Sequence, residues 1–165
     1  MSDDLTKAKV AAARKGVERV RPDMRLALGT GSTAAEAVRA LVERFPGAPI
    51  DCVASSRATE ALARSLGLPI RDLRADDRFD LMLDGADEVT PSLELTKGGG
   101  GALLREKLLA QLSDELTVLV DPTKLVSHLG EKRPIPVEVV PFARPVIARR
   151  FERDGYHVLL REGPD

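Results

Sequence analysis

Apolar residues recur along the chain with two alternating periods, and that alternation predicts the architecture. Leu5, Ala8, Ala11, Ala12, Val17 and Val20 follow near-helical spacing, which predicts an amphipathic helix over residues 4–20 closed by Arg21-Pro22. Arg25-Leu26-Ala27-Leu28 is a short apolar run stopped by Gly29, the pattern of a buried strand. Beyond Gly29-Thr30-Gly31-Ser32-Thr33 the helical period returns in Ala34, Ala37, Val38, Leu41 and Val42, and Pro46-Gly47 closes that helix after Phe45. The alternation continues, with strands predicted over residues 50–54, 68–73, 79–83 and 116–120 and helices over 57–66 and 103–112. A short strand is predicted at Leu93-Glu94-Leu95. Strands alternating with helices imply crossover connections and a doubly wound, mostly parallel α/β sheet.

The texture then changes. Pro134-Ile135-Pro136-Val137-Glu138-Val139-Val140-Pro141 sets three prolines around a predicted strand, which places it at an edge or at the entry to another sheet. A helix over 145–153 and a strand over 156–160 follow before the chain ends at Asp165.

Composition narrows the partner. With 165 residues, 43% hydrophobic and 31% charged, the chain can build one globular core without staples. Lys and Arg total 25 against 26 Asp and Glu, a net charge of −1, so no basic excess marks a nucleic-acid footprint. Aromatic residues are 3% of the chain, too few for stacking platforms. Cys52 is the single cysteine and His128 and His157 are the only histidines, which predicts a reducing compartment and neither a zinc nor an iron site. Residues 1–23 mix acids and bases without the apolar stretch of a targeting peptide, and no run approaches a membrane span of roughly 20 apolar residues. A small molecule is the expected partner.

Ligands of open parallel sheets bind beyond the carboxyl ends of the strands, and four loops fall on that rim. The first is Gly29-Thr30-Gly31-Ser32-Thr33. It reads as a phosphate cradle at a helix N-terminus or as a Gly-rich turn capped by Ser32 or Thr33. No lysine stands in the Walker position, and Ser55-Ser56 supplies no acid for a ribose diol, so neither a P-loop nor a dinucleotide site fits. The second is Asp84-Gly85-Ala86-Asp87-Glu88, three carboxylates in five residues that repel unless paired or protonated. Acid/base work or hydroxyl binding accounts for it, as does a turn with capping acids. The third, Lys97-Gly98-Gly99-Gly100-Gly101, is costly in chain entropy and points to backbone wrapped around a ligand. Glu106 follows within an Arg-Glu-Lys run, where position alone favours a solvated surface acid. The fourth, Asp121-Pro122-Thr123-Lys124, brings a lysine that either serves a phosphate or lies on the surface. Hydroxyls, an anion cradle, carboxylates and two lysines suit a phosphorylated polyol or sugar and proton transfer beside a carbonyl through an enediolate.

These blocks, with Arg105-Glu106-Lys107 and Pro136-Val137-Glu138-Val139 before Pro141, occur in the order found in the type A ribose-5-phosphate isomerases, which the chain strongly resembles from about residue 5 onward. The resemblance implies a Rossmann-like catalytic domain over 1–130 and the beginning of a small α+β domain over 131–165, since the family's chain continues further. It implies metal-free, cofactor-free interconversion of ribose 5-phosphate and ribulose 5-phosphate by a cytoplasmic homo-oligomer, a dimer or tetramer. Glu106 matches the family's proton acceptor. Asp84, Asp87 and Lys97 match residues that open the sugar ring and polarise its oxygens. Thr30, Gly31, Ser32, Thr33, Asp84, Gly85, Ala86, Asp87, Lys97, Gly98, Gly99, Gly100 and Lys124 match substrate contacts. Two other readings stand beside it: a non-enzymatic sugar-phosphate sensor of the same fold, and acyl-CoA or aminosugar-phosphate chemistry.

Overall fold

The predicted strands are short, so each must be buried on both faces to hold its place. The structure, a computed structural model, describes residues 2–161. The strands are β1 (Arg25–Leu28), β2 (Asp51–Ala54), β3 (Leu81–Asp84), β4 (Glu88–Val89), β5 (Leu95–Thr96) and β6 (Leu116–Val118). The helices are α1 (Ser2–Val17), α2 (Ser32–Arg44), α3 (Arg57–Ser65), α4 (Leu103–Gln111) and α5 (Arg144–Arg153). Four strands form a parallel sheet in the order β2-β1-β3-β6, and β4 pairs antiparallel with β5.

Register assigns the two faces. Leu26 lies opposite Cys52 and Leu81, and Ala27 lies opposite Val53 and Met82, so successive residues pack to opposite sides. The first row, extended by Leu28 and Leu83, buries against Ala13 and Val17 of α1 and Ala37, Val38 and Leu41 of α2. The second row buries against Phe79 and Leu109, the latter from α4. Full burial of each such leucine contributes about 1.5–3 kcal/mol, which is how strands of four residues are held. Among the described residues, no helix is long and apolar enough to cross a membrane.

The topology positions the site. From β1 the chain moves outward to β2, then returns past β1 to β3 and β6. The order therefore reverses between β1 and β3, and the loops leaving those two strands diverge into a crevice.

Three expected strands do not form. Residues 68–73 make only a single bridge, Ile70 to Cys52. Pro69 has no amide to extend a ladder, and Arg71 turns its guanidinium onto Asp51 at 2.6 Å and Asp77 at 2.7 Å. Residues 134–141 run without a partner strand into a short 3₁₀ turn, Pro141–Ala143, because the prolines remove donors from the ladder. Among the described residues, 156–160 likewise carry no strand, and Tyr156, Leu159 and Leu160 are exposed. The first helix stops at Val17, with residues through Val20 in a turn closed by the Val20 N–H on the Val17 carbonyl. Strand β4 was not anticipated; at two residues it has no period to read.

Glu88 of β4 ties the segment after β3 to the chain beyond residue 129. It is fully buried and accepts N–H bonds from Gly130 and Lys132 at 2.6 Å and Arg133 at 2.9 Å. Burial alone would raise its carboxyl pKa, but the three backbone donors outweigh that and hold it below the usual range. A depressed carboxylate stabilises the fold above its unfolded pKa and loses that stabilisation as the pH falls through the folded value. Glu88→Gln is expected to lower Tm by several degrees at pH 7, with the gap to wild type closing as the pH falls below about 4. Thermal unfolding followed by circular dichroism across pH checks this, and a gap independent of pH would contradict it.

Candidate active site

Both walls of the crevice begin at strand ends. The β1 exit crosses Asp84 so closely that a Cβ on Gly29 would fall 1.9 Å from Asp84 Oδ1, so only glycine fits there. The Thr30 N–H donates to the same oxygen at 3.1 Å, and the Gly85 N–H at 2.7 Å. Gly31 is the N-cap of α2 at φ 106, and no side chain caps that helix end. Ser32 and Thr33 are thus not the helix cap that the competing reading required. The first amides of α2 and the hydroxyls of Thr30, Ser32 and Thr33 together suit an anion.

The three neighbouring carboxylates avoid mutual repulsion by separation. Glu88 faces the backbone of 130–133. Asp87 accepts the Gly99 N–H at 2.7 Å and so holds the glycine loop. Asp84 is fully buried, and its Oδ2 lies 2.7 Å from the Lys97 ammonium. Lys97 also donates to the Gly85 carbonyl at 2.7 Å and lies 3.2 Å from Glu106 Oε2. Asp84 Oδ2 and Glu106 Oε2 are both buried, and each has the Lys97 ammonium as its charged partner.

Glu106 is the finding that the local sequence argued against. It is 4% exposed, whereas Leu104 on the same helix is 69% exposed. A helix that buries its acid and exposes its leucine sets folding preference aside at that position, a pattern associated with functional sites. Burial, followed by the nearby charge of Asp84, raises the Glu106 carboxyl pKa against the opposing pull of Lys97. Burial also raises that of Asp84, opposed by Lys97 and by the two backbone donors.

A cavity of about 170 Å³ is lined by Thr30, Gly31, Ser32, Thr33, Gly85, Ala86, Asp87, Lys97, Gly98, Gly99, Gly100, Glu106 and Lys124. Every candidate site residue lies on its wall except Asp84, which sits beneath it in contact with Lys97. Four loops far apart in sequence thus converge on one space.

The profile of ribose 5-phosphate isomerase A (phosphoriboisomerase A) matches residues 51–165. The ribose-5-phosphate isomerase A of Sphingopyxis alaskensis is 46% identical over 163 residues, covering 98% of this chain and 71% of that protein. The chain belongs to the ribose-5-phosphate isomerase A family. The Thermomicrobium roseum member is 49% identical over 160 residues, covering 96% of this chain and 68% of its own. A solved D-ribose-5-phosphate isomerase in complex with phospho-erythronic acid superposes with a TM-score of 0.90 at 37% identity, over 97% of this chain and 71% of that one. The isomerase of Methanocaldococcus jannaschii gives 0.83 at 39% identity, over 90% and 67%. The relatives are isomerases by name, which favours the enzyme reading over a sensor.

In this family member, two hydroxyls behind the cradle went unnoticed in the sequence. Ser55 is fully buried with its Oγ 2.7 Å from Thr30 Oγ1, and Thr59 Oγ1 donates to the Gly29 carbonyl at 2.8 Å. In the sequence, Ser55-Ser56 signals only a strand end without an acid. A buried hydroxyl beside an anion cradle fixes the rotamer of the group in front. Ser55→Ala is expected to weaken inorganic phosphate binding about threefold to tenfold, the worth of one hydrogen bond. Calorimetric titration reads this, and unchanged affinity would show that Thr30 needs no support.

Proposed function

We propose that this chain interconverts ribose 5-phosphate and ribulose 5-phosphate by proton transfer through an enediolate. The observation that carries this reading is the buried Glu106 carboxylate 3.2 Å from the Lys97 ammonium, on the wall of a cavity shared with an uncapped helix N-terminus. The α2 amides, the hydroxyls of Thr30, Ser32 and Thr33, and Lys124 hold the phosphate. Gly98, Gly99, Gly100, Gly85 and Ala86 let backbone approach the sugar, and Asp87 takes a sugar hydroxyl. A solved family structure that holds phospho-erythronic acid, a phosphorylated sugar acid, supports this ligand class.

Ring opening removes a proton from O1 and delivers one to the ring oxygen. Asp84 accepts the first and Lys97 donates the second, and the proton passes between them across 2.7 Å to restore both groups. Glu106 then removes the C2 proton of the open aldehyde. The C2–H electron pair forms the C1–C2 double bond, and the former carbonyl oxygen carries negative charge beside Lys97. With the O2 proton transferred to O1, Glu106 returns its proton to C1 and C2 becomes the ketone. No electrons are gained or lost overall. We also place the protein in the cytoplasm as a homo-oligomer; Val140, Phe142, Val146 and Tyr156 leave an apolar surface in solvent that suits association. Sedimentation at micromolar concentration checks this, and a monomer would contradict it.

The base is tested by following ketopentose formation from ribose 5-phosphate in EDTA. Wild type is expected to turn over, and Glu106→Gln to lose at least 10²-fold in kcat while still binding the sugar phosphate. Glu106 must be ionised to act and its pKa is raised, so kcat/KM should fall on the acid side at a pH above the ordinary glutamate value of about 4.3. Near wild-type turnover in Glu106→Gln, or an acid limb at or below that value, would remove Glu106 as the base.

A further inference from the structure

The residues after 130 reach back to the catalytic loop at two separate points. Glu138 Oε2 accepts the Leu104 N–H at 2.9 Å, across 34 residues of sequence. Leu104 is the second residue of α4, the helix that carries Glu106, and the N-cap residue Ala102 offers no side-chain cap. The Arg161 guanidinium donates to the Gly99 carbonyl at 2.8 Å, across 62 residues. Gly99 is thereby held on both sides, since its own N–H is bound to Asp87.

We propose that Glu138 and Arg161 are positioning residues that clamp the unit 98–106 in its working geometry; this rests on the isomerase reading of the site. The unit needs holding from outside. Its glycine run has little conformational preference of its own, and α4 is a nine-residue helix that would fray from an uncapped start. Glu138 supplies the missing acceptor and places negative charge at the positive end of the helix, two residues before the base. The prolines at 134, 136 and 141 fix φ on either side of Glu138 and lack amides for a ladder, so this segment acts as a strut and not a strand. Within the unit, a Cβ on Gly98 would meet the Leu103 side chain at 2.1 Å, so the loop lies directly on the start of α4. A displacement at Gly99 or Leu104 is passed on to Glu106. The chain beyond residue 130 is therefore part of the catalytic apparatus, although none of its described residues lines the cavity.

Three variants of the full chain, Glu138→Ala, Glu138→Gln and Arg161→Ala, test the clamp by steady-state kinetics with ribose 5-phosphate and by amide hydrogen exchange. Glu138→Ala should lower kcat about tenfold to hundredfold, the cost of misplacing a catalytic group by about an ångström, with a smaller rise in KM. Glu138→Gln keeps an acceptor oxygen for the Leu104 N–H and should restore kcat to within about threefold. Arg161→Ala loosens the loop more than the helix and should raise KM more than it lowers kcat. Exchange should quicken across 98–106 in Glu138→Ala and Arg161→Ala while β1 and β3 stay unchanged. Unchanged kinetics and exchange would overturn the clamp, as would a Glu138→Gln as impaired as Glu138→Ala. Exchange rising equally in the sheet would also overturn it, by showing general destabilisation. If wild type does not isomerise the sugar, the functional reading falls, and the exchange arm still decides the clamp.

Discussion

One ammonium group holds the site together. Lys97 lies 2.7 Å from Asp84 and 3.2 Å from Glu106, two carboxylates that are almost completely buried. Two such groups cannot both stay ionised in a desolvated space without a cation between them, and a buried acid left without its partner is strongly destabilising. The three residues come from three elements: the end of β3, the residue after β5 and the first turns of α4. The small β4–β5 hairpin contributes little core, but it carries Lys97 to this position. The Gly85 carbonyl, accepting from the same ammonium, fixes its direction.

The sheet supplies the space around that triad. Because the strand order reverses between β1 and β3, their loops part and leave a crevice whose two walls differ in chemistry. The β1 side ends in a helix N-terminus without a side-chain cap, and the β3 side ends in acids. Gly29 joins the walls, since any side chain there would displace Asp84. An anion-suited wall and an acidic wall are thereby separated by construction, with stability given up at Glu106, where burial of an acid and exposure of Leu104 run against the folding preference of a helix.

Much of this was legible in the residues. The alternation of helical and strand periods places every strand of the main sheet, because buried strands must be apolar and crossover helices must be amphipathic. The four rim loops stood out because glycine runs and clustered acids are costly unless they serve a ligand. The failures share one cause. Residues 68–73, 134–141 and 156–160 look like strands by composition, but a strand exists only where a neighbour offers a ladder. At 70 the edge takes one bridge, and at 138 the chain instead serves the N-terminus of α4. Ser55 and Thr59 were illegible because a hydroxyl at a strand end or helix start has many uses, and only their contacts with Thr30 and Gly29 select one.

The sequence by itself determined the fold class, the parallel sheet, the loops on its carboxyl rim and the kind of ligand they could hold, because these follow from periodicity and from residue chemistry read locally. Only the tertiary structure decided that Glu106 points inward, that three adjacent carboxylates divide among a lysine, a glycine loop and a distant backbone, and that residues 138 and 161 hydrogen-bond Leu104 and Gly99. Burial and charge pairing depend on which elements meet in space, and along a chain of these lengths that is settled by packing across the whole sheet.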